Sequence, residues 1–257
     1  MSAQSGFADA ARQGGRAALV TVVRSDSGDP PVGAKLLVTD GAREGSLGDA
    51  GLDERAAAAA EELMWAERSE LRLFGELDLF VDVTFPPPRV IIFGAVDYAG
   101  ALCRLARTCG WRPYIVDPRE RFAARERFPE AEDVVAAWPR EALAQLGGID
   151  RATYIAVLTH DPKLDDAALE ITLRSDAAYV GAMGSRRAQE KRRERLLGML
   201  SEEELSRLAA PIGLDLGAIT SEETALSIMA EMVAVRYGRS GGRLSAVGAG
   251  RVHAVGA

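Results

Sequence analysis

The second half of the chain repeats one pattern of apolar and polar positions, a short apolar run followed by a stretch with helical spacing. Apolar runs of strand length occur at residues 89–93, 113–116, 133–137, 154–159 and 178–182. Between them, apolar positions recur with the helical period at residues 98–109, 119–128, 140–146 and 164–174. This alternation predicts a parallel sheet with right-handed crossovers, that is, a Rossmann-like α/β domain. Two further helices, at residues 185–199 and 220–237, are predicted to close it.

A smaller α+β pattern precedes this repeat. It predicts strands at residues 17–24, 34–39, 71–74 and 79–85, a loop at residues 46–49 and an alanine-rich helix at residues 53–68. Prolines at residues 86–88 stiffen the chain, and we interpret them as a linker between domains at residues 1–85 and 89–238. Residues 1–16 are predicted to be frayed, and the glycine-rich residues 239–257 are predicted to form a flexible tail.

Composition excludes several classes of function. The 257 residues include 31 Lys and Arg against 38 Asp and Glu, and the net charge of −7 disfavours nucleic acid or an anionic membrane as the main partner. Because no apolar run reaches membrane length, we expect no membrane span and a cytoplasmic protein. The two cysteines, Cys103 and Cys109, fall in one predicted helix at a spacing that suits neither a disulfide nor a zinc site. We expect both to be reduced and buried.

The first strand end of the repeat carries part of a dinucleotide-binding fingerprint. Gly94 fits the tight turn, but Val96 stands where a glycine would let the backbone approach a pyrophosphate. Asp97 puts a negative charge where phosphate would bind, although it complements the helix dipole. Roughly 20 residues further on, Asp117 occupies the place of a ribose-binding acid, and Arg119 is a candidate phosphate ligand. The alternative is a Rossmann scaffold without nucleotide binding, in which Asp117 and Arg119 only form a turn that leads into the next helix.

One of the two histidines, His160, follows a later predicted strand and precedes Asp161. Histidine is the side chain that titrates closest to neutral pH, so His160 is a candidate acid–base group and the one candidate catalytic residue, or else a ligand-binding donor. Metal binding is a minor alternative, because the nearby carboxylates of Asp161 and Asp165 are loosely spaced for it. In the alternative without function, Asp161 only caps the next helix and His160 is packed.

The segment from Gly184 to Arg187 predicts an anion site. Gly184 and Ser185 are expected to end a strand and cap a helix, which places Arg186 and Arg187 in the helix's first turn. Cations there oppose the helix dipole at a cost of about 0.3–1 kcal/mol each. A phosphate bound to the exposed amides and both guanidinium groups would reverse the sign of that cost. The alternative is a solvated basic face, which is expected to cover the later cations Lys191, Arg192, Arg193 and Arg195.

A loop at residues 211–217 is too apolar and too rich in glycine for a simple linker. Two interpretations stay open, a lid that folds back over the strand ends and a packed connection between elements.

Taken in order, these segments resemble one family, the XdhC/CoxI accessory proteins. The segments that carry the resemblance are residues 90–94, 116–119, 158–161, 179–187, 211–217 and 220–231. The resemblance implies a Rossmann-like C-terminal domain and a role in the maturation of molybdenum hydroxylases, such as xanthine dehydrogenase and carbon monoxide dehydrogenase. Many relatives also carry a Gly-Gly-Cys…Glu motif, whose nearest counterpart here, residues 48–53, has no cysteine.

The first functional hypothesis, which this resemblance implies, is binding of the molybdenum cofactor and its delivery to an apo molybdenum hydroxylase. The candidate site has four parts. The anion site comprises Gly184, Ser185, Arg186 and Arg187, and Asp117 with Arg119 would hold another part of the ligand. His160 and Asp161 would line the cleft, and Gly94 forms the first turn. A cysteine desulfurase is a candidate second partner. A homodimer is compatible with the small N-terminal domain and the apolar final helix, but neither requires it.

Two rival hypotheses remain. One is an NAD(P)-dependent oxidoreductase with His160 as acid–base group, which Gly94 and Asp117 favour and Val96 and Asp97 oppose. The other is a docking module that recognises only its target enzyme and binds no small molecule.

Overall fold

Two sheets organise the chain, which a computed structural model describes over residues 2–246. Contacts within the chain divide it into two units, of which the first ends at Pro87 and the second begins at Pro88. The division falls within the triple-proline segment, where the backbone has no N–H groups to donate.

The first unit is a five-stranded antiparallel sheet with helices on both faces, in the strand order β3-β2-β1-β5-β4. Its elements are α1 (Ala3–Arg12), β1 (Ala17–Ser25), β2 (Lys35–Thr39), β3 (Ala42–Ser46), α2 (Ala50–Trp65), β4 (Glu70–Phe74) and β5 (Leu77–Thr84). Alternation along β1 sends Val20 and Val22 into the cluster that α2 covers, and Leu19 into the cluster that α1 covers.

Most of the segment predicted to be frayed forms helix α1, so that prediction is wrong for the helix and its caps, residues 2–13. Ser2 and Ser5 exchange hydrogen bonds in a capping box at the start of the helix. At Gly6 a Cβ would come within 2.7 Å of Leu37 Cδ2, so small side chains allow α1 to approach the sheet closely. The predicted loop at residues 46–49 begins at the last residue of β3, a strand that the sequence pattern did not indicate.

The second unit is a six-stranded parallel sheet in the order β11-β10-β9-β6-β7-β8. Its elements are β6 (Arg89–Phe93), α3 (Asp97–Thr108), β7 (Arg112–Val116), β8 (Asp133–Val135), α4 (Pro139–Gln145), β9 (Thr153–Val157), α5 (Pro162–Leu173), β10 (Tyr179–Ala182), α6 (Arg186–Leu196), α7 (Glu202–Ser206), β11 (Leu208–Ala209) and α8 (Ser221–Arg236). The chain runs outward from β6 in one direction and returns to start again at β9. The strand order therefore reverses between β6 and β9, and ligands bind at such a point in open α/β sheets.

Both faces of this sheet are covered, as the near-continuous apolar runs of its strands require. Val90 and Ile92 of β6 pack in a cluster with residues of α3 and α8. Ile91 and Phe93 point to the other face and pack with residues of α4, α5 and α6. The fold is α/β, with a Rossmann-type parallel sheet preceded by a smaller antiparallel α+β unit, as predicted.

One predicted helix, residues 119–128, is absent, and the segment holds a single 3-10 turn at Arg125–Arg127. Arg127 explains the difference, because its guanidinium donates to the carbonyl oxygens of Phe122 at 2.9 Å and of Ala95 at 3.1 Å. Phe128 then enters the core with 2% of its surface exposed. Long-range contacts at the strand ends thus override a local pattern that is compatible with a helix.

Part of the predicted flexible tail lies within the described residues. Arg239 donates its backbone N–H to Ala234, and residues Leu244–Ala246 form a 3-10 turn. The remainder of that prediction, residues 247–257, lies outside the described residues. Over residues 2–246, no helix combines the length and the apolar content needed to cross a bilayer.

Candidate functional site at the carboxyl ends of the parallel strands

The turn after β6 lies directly against the end of β9. Gly94 adopts φ +110°, a conformation that side chains disfavour, and its N–H donates to the Val116 carbonyl at 2.8 Å. A Cβ at Gly94 would lie 2.7 Å from Thr159 Cγ2. Glycine is therefore required here for two reasons, the backbone conformation and the close approach of the neighbouring strand end.

Asp117, at the end of β7, is fully buried and turned inward. One carboxylate oxygen accepts from the backbone N–H and Nε of Arg119, and the other accepts from the N–H of Ala95 and from Nη2 of Arg119. These four bonds use all the acceptor positions that a carboxylate has. Burial acts to raise the pKa of Asp117, but the hydrogen bonds outweigh it and hold the pKa below its ordinary value. Asp117 thus joins two strand ends and has no acceptor left for a ribose hydroxyl.

Arg119 is held by this pair yet remains accessible. Its side chain is 41% exposed, and its guanidinium lies 4.5 Å from the centre of the Phe122 ring. Asp117 is the main cause of its raised pKa, and Asp161 also contributes, which places the ends of β7 and β9 within electrostatic reach. The remaining guanidinium edge is available to an anionic ligand.

The start of α3 differs from the other helix starts in the site. Val96 occupies the N-cap position and offers no side-chain hydrogen bond. Asp97, in the first turn, has a side chain that is 92% exposed, and its nearest cation is Arg127 at 3.8 Å. An anion bound at this turn would meet a carboxylate, which opposes binding of a pyrophosphate there.

The loop after β9 presents His160 and Asp161 at the surface. Asp161 caps α5 by accepting from the N–H of Lys163 at 3.0 Å, so its predicted capping role is present. His160 is exposed, which differs from the packed alternative. Thr159, just before it, is buried and accepts from the N–H of Asp161.

A buried ion pair lies beneath the loops after β9 and β10. Arg192 of α6 donates to Asp165 of α5 at 2.7 Å, and the two side chains are 5% and 3% exposed. Burial raises the pKa of Asp165, although hydrogen bonds from Thr159 and Arg192 favour its charged form. The prediction that Arg192 belongs to a solvated basic face is therefore wrong, because a carboxylate from the neighbouring helix draws it inward.

The predicted anion site forms the junction of β10 and α6. Gly184 adopts φ +137°, and Ser185 caps α6 by accepting from the N–H of Ala188 at 3.3 Å. Arg186 and Arg187 are exposed in the first turn, and neither side chain has an ion pair or a hydrogen bond with any residue of the described range 2–246. Three other arginines of α6 all have carboxylate partners: Arg192 with Asp165, Arg193 with Glu202 and Arg195 with Asp166.

The loop at residues 211–217 is anchored at its first half. The N–H of Ile212 donates to the Ala182 carbonyl at 3.0 Å, and the N–H of Gly213 donates to Glu231 of α8 at 2.7 Å. Tyr179 of β10 donates its hydroxyl to the same Glu231 carboxylate. This half is a packed connection, whereas residues 215–219 are exposed beyond it.

Contacts therefore link the carboxyl ends of β7, β6, β9 and β10. Asp117 joins β7 to β6, Gly94 packs against the end of β9, and the pair of Asp165 and Arg192 joins β9 to β10. The sequence patterns missed Gln189 and Glu231 as well as the buried Arg192. The signal for such residues is a polar side chain at an inward position of a helix, and for Gln189 and Arg192 the many charges of α6 obscure it.

Comparison with known proteins agrees with this geometry. A family model described as the XdhC Rossmann domain matches residues 90–232, and one described as the XdhC and CoxI family matches residues 10–75. The chain belongs to the XdhC and CoxI family. The XdhC Rossmann match includes every strand end described above, and the resemblance inferred from the sequence is confirmed.

Named relatives of this XdhC-type chain come from two bacteria. It is 28% identical over 159 residues to a probable subunit of xanthine dehydrogenase from Bacillus subtilis, which is 62% of this chain and 46% of that protein. It is 30% identical over 153 residues to the molybdenum cofactor insertion chaperone PaoD of Escherichia coli, which is 59% of this chain and 41% of that protein. The chain spans less than half the length of these curated relatives.

A crystal structure described as a xanthine dehydrogenase from Bacillus halodurans has the same fold, with a TM-score of 0.62 and 21% identity. The match covers 90% of this chain and 65% of that chain.

Proposed function

We propose that this protein is an accessory factor that binds the molybdenum cofactor through its phosphate and delivers it to a molybdenum hydroxylase. The names of its relatives, a molybdenum cofactor insertion chaperone and a probable subunit of xanthine dehydrogenase, support the class of cargo and of partner. The observation that carries the proposal is the pair Arg186 and Arg187, which lack acidic partners among the described residues and lie at a helix start where cations are otherwise unfavourable.

The turn offers the groups that a phosphate needs. Ser185 satisfies the N–H of Ala188, while the N–H groups of Arg186 and Arg187 belong to the first helical positions, which have no partner inside a helix. Two amides and two guanidinium groups would together neutralise a phosphate dianion. The residues present therefore fit the phosphate of a pterin cargo.

A second part of the cargo is assigned to the loops after β7 and β9. Arg119, fixed by Asp117 with one guanidinium edge outward, would contact another polar group, and His160 would line the same edge. The loops after β7 and β10 are three strand spacings apart, roughly 14 Å. That span suits an extended ligand rather than a single small anion.

Partner proteins follow from the proposed cargo. We assign an apo molybdenum hydroxylase as the recipient and the cytoplasm as the location, with which the two free cysteines agree. The cysteine desulfurase and the homodimer stay predictions from the sequence.

The oxidoreductase alternative has weaker support from the geometry. Gly94 and the reversal of strand order between β6 and β9 are features of dinucleotide sites. However, Asp117 has no free acceptor for a ribose, and Asp97 is exposed where the pyrophosphate would bind. NADPH fluorescence on mixing separates the two functions, since this oxidoreductase must bind the nicotinamide.

The test of the proposal is an anaerobic titration of the purified protein with molybdopterin. Replacing Arg186 and Arg187 together by alanine is expected to weaken binding about tenfold or more, because 1.4 kcal/mol corresponds to tenfold and two charge-assisted contacts are lost. The matched control replaces Lys191 and Arg193, which removes the same charge from the same helix and is expected to leave affinity within about twofold. Equal affinity of the two double variants would contradict the proposed site.

A further inference from the structure

The buried pair between Arg192 and Asp165 calls for a reason other than fold stability. Each ion loses its hydration in the interior, and replacing such a pair with apolar side chains is often neutral or stabilising. The Nε of Arg192 is buried without a hydrogen-bond partner among the described residues, which adds to the cost. A pair that is expensive to bury and incompletely satisfied suggests a positional role.

Its hydrogen bonds run to both ligand loops. Asp165 accepts from the Thr159 hydroxyl at 2.5 Å, and Thr159 in turn accepts from the N–H of Asp161 at 3.0 Å. In the other direction, Nη2 of Arg192 donates to the Met183 carbonyl at 3.1 Å. The pair therefore fixes the loop after β9 relative to the loop after β10.

Gln189 extends this network to the anion turn itself. Its side-chain carbonyl accepts from Nη1 of Arg192, and its Nε2 donates to the carbonyls of Ala182 and Gly184, both at 3.2 Å. Gly184 packs directly against this amide, since a Cβ there would lie 3.1 Å from Gln189 Nε2. Three successive carbonyls, from residues 182 to 184, are thus held from below by α6.

We infer that Arg192 and Gln189 are positioning residues that hold the Gly184–Arg187 turn in the geometry that binds the cargo's phosphate. The inference rests on the proposed function for its ligand and goes beyond it, because neither residue is assigned a contact with the cargo. The fork geometry of arginine is essential, since one guanidinium reaches a carboxylate, a backbone carbonyl and an amide at once. A lysine at this position keeps the charge, but its donors lie on a single nitrogen and cannot replace contacts made by both Nη1 and Nη2.

The first arm of the test measures the turn without any ligand. In Arg192→Lys and Gln189→Met, amide hydrogen exchange is expected to accelerate at Ala188 and its neighbours in the turn, while β6 exchanges as in the wild type. Gln189→Met preserves side-chain volume and keeps the test decisive if Arg192→Lys unfolds. The matched control is Lys191→Arg, the reverse exchange at the adjacent exposed position, which should leave the turn unchanged.

The second arm measures molybdopterin affinity. Each variant is expected to bind about tenfold more weakly than the wild type. This effect should be much smaller when Arg186 and Arg187 are already alanine, because only the two backbone amides of the turn then remain for positioning to act through. A purely structural role would instead weaken binding equally in both backgrounds.

The outcomes separate the two ideas. If the wild type does not bind molybdopterin, the proposed function is wrong, and the exchange arm alone decides the positioning role. Unchanged exchange at the turn in both variants overturns the inference, as does faster exchange with unchanged affinity. Faster exchange together with a loss of affinity that depends on the two arginines supports it.

Discussion

Replacing Asp117 by asparagine tests the claim that this carboxylate joins β6 and β7 rather than waiting for a ligand. The side chain keeps its size but exchanges one acceptor oxygen for an NH₂ donor. Whichever oxygen is replaced, one backbone N–H and one guanidinium N–H of Arg119 lose their acceptor, since each oxygen accepts one bond of each kind. The variant therefore faces two donor–donor contacts in place of two charge-assisted hydrogen bonds.

The expected cost follows from burial. A buried backbone N–H left without a partner costs about 1–3 kcal/mol. The Arg119 side chain is 41% exposed, so water replaces part of its loss and we count at most about 1 kcal/mol for it. Asp117→Asn should therefore lower the free energy of unfolding by about 1–4 kcal/mol.

Urea unfolding, followed by tryptophan fluorescence and far-UV circular dichroism, measures this cost as a shift in midpoint. The control is Asp176→Asn, an exposed carboxylate just before β10, which should change the free energy by less than about 0.5 kcal/mol. If Asp117→Asn lowers the free energy of unfolding no more than the control does, the carboxylate does not hold the two strand ends together. Asp117 would then again be a candidate ligand-binding residue.

Three further predictions concern the same unit. Hydrogen bonds hold the folded-state pKa of Asp117 below the ordinary 3.8, so the stability that its carboxylate contributes is complete above pH 3.8 and is lost as the pH falls through the folded-state pKa. The free energies of unfolding of the wild type and Asp117→Asn should therefore converge in strong acid. Cys109 is exposed, so the expectation that both cysteines are buried is wrong for Cys109, whereas burial raises the pKa of Cys103 to about 12. Iodoacetamide at pH 8 should therefore label Cys109 alone, giving one adduct by mass spectrometry, and two adducts on folded protein would contradict the burial of Cys103. Gly94→Ala should lower the free energy of unfolding by about 2 kcal/mol more than Gly110→Ala. Both glycines have positive φ, but only a Cβ at Gly94 would meet a neighbouring strand end. Equal losses of stability would show that this contact is not tight.

The strand ends were predictable because their signals are local. An apolar run followed by Gly94, or by Asp117, marks the point where a buried strand leaves the sheet, whatever follows in three dimensions. The capping roles of Asp161 and Ser185 also depend only on neighbours within one turn of helix. For this reason the fold class could be inferred without a structure, and the residues at the strand ends could be named as candidates for a site.

The polar network below the site could not be predicted in this way. Arg192 lies in a run of cations, and its carboxylate partner Asp165 is 27 residues away on another helix. Likewise, Arg119 lies only two residues from Asp117 in sequence, but nothing local indicates that Ala95, 22 residues away, completes the set of donors. Whether a charged side chain is buried in the core or exposed at the candidate site thus depends on partners that are distant in sequence.

The central claim is that the turn between β10 and α6 binds the cargo by its phosphate. The most direct measurement compares the affinity of the wild type for molybdopterin and for the same pterin without its phosphate. We predict that the phosphate improves binding about tenfold or more, and that this preference is strongly reduced when Arg186 and Arg187 are replaced by alanine, since only the backbone amides of the turn then remain. A preference of the same size in the double variant would contradict the account, since the phosphate would then be bound elsewhere.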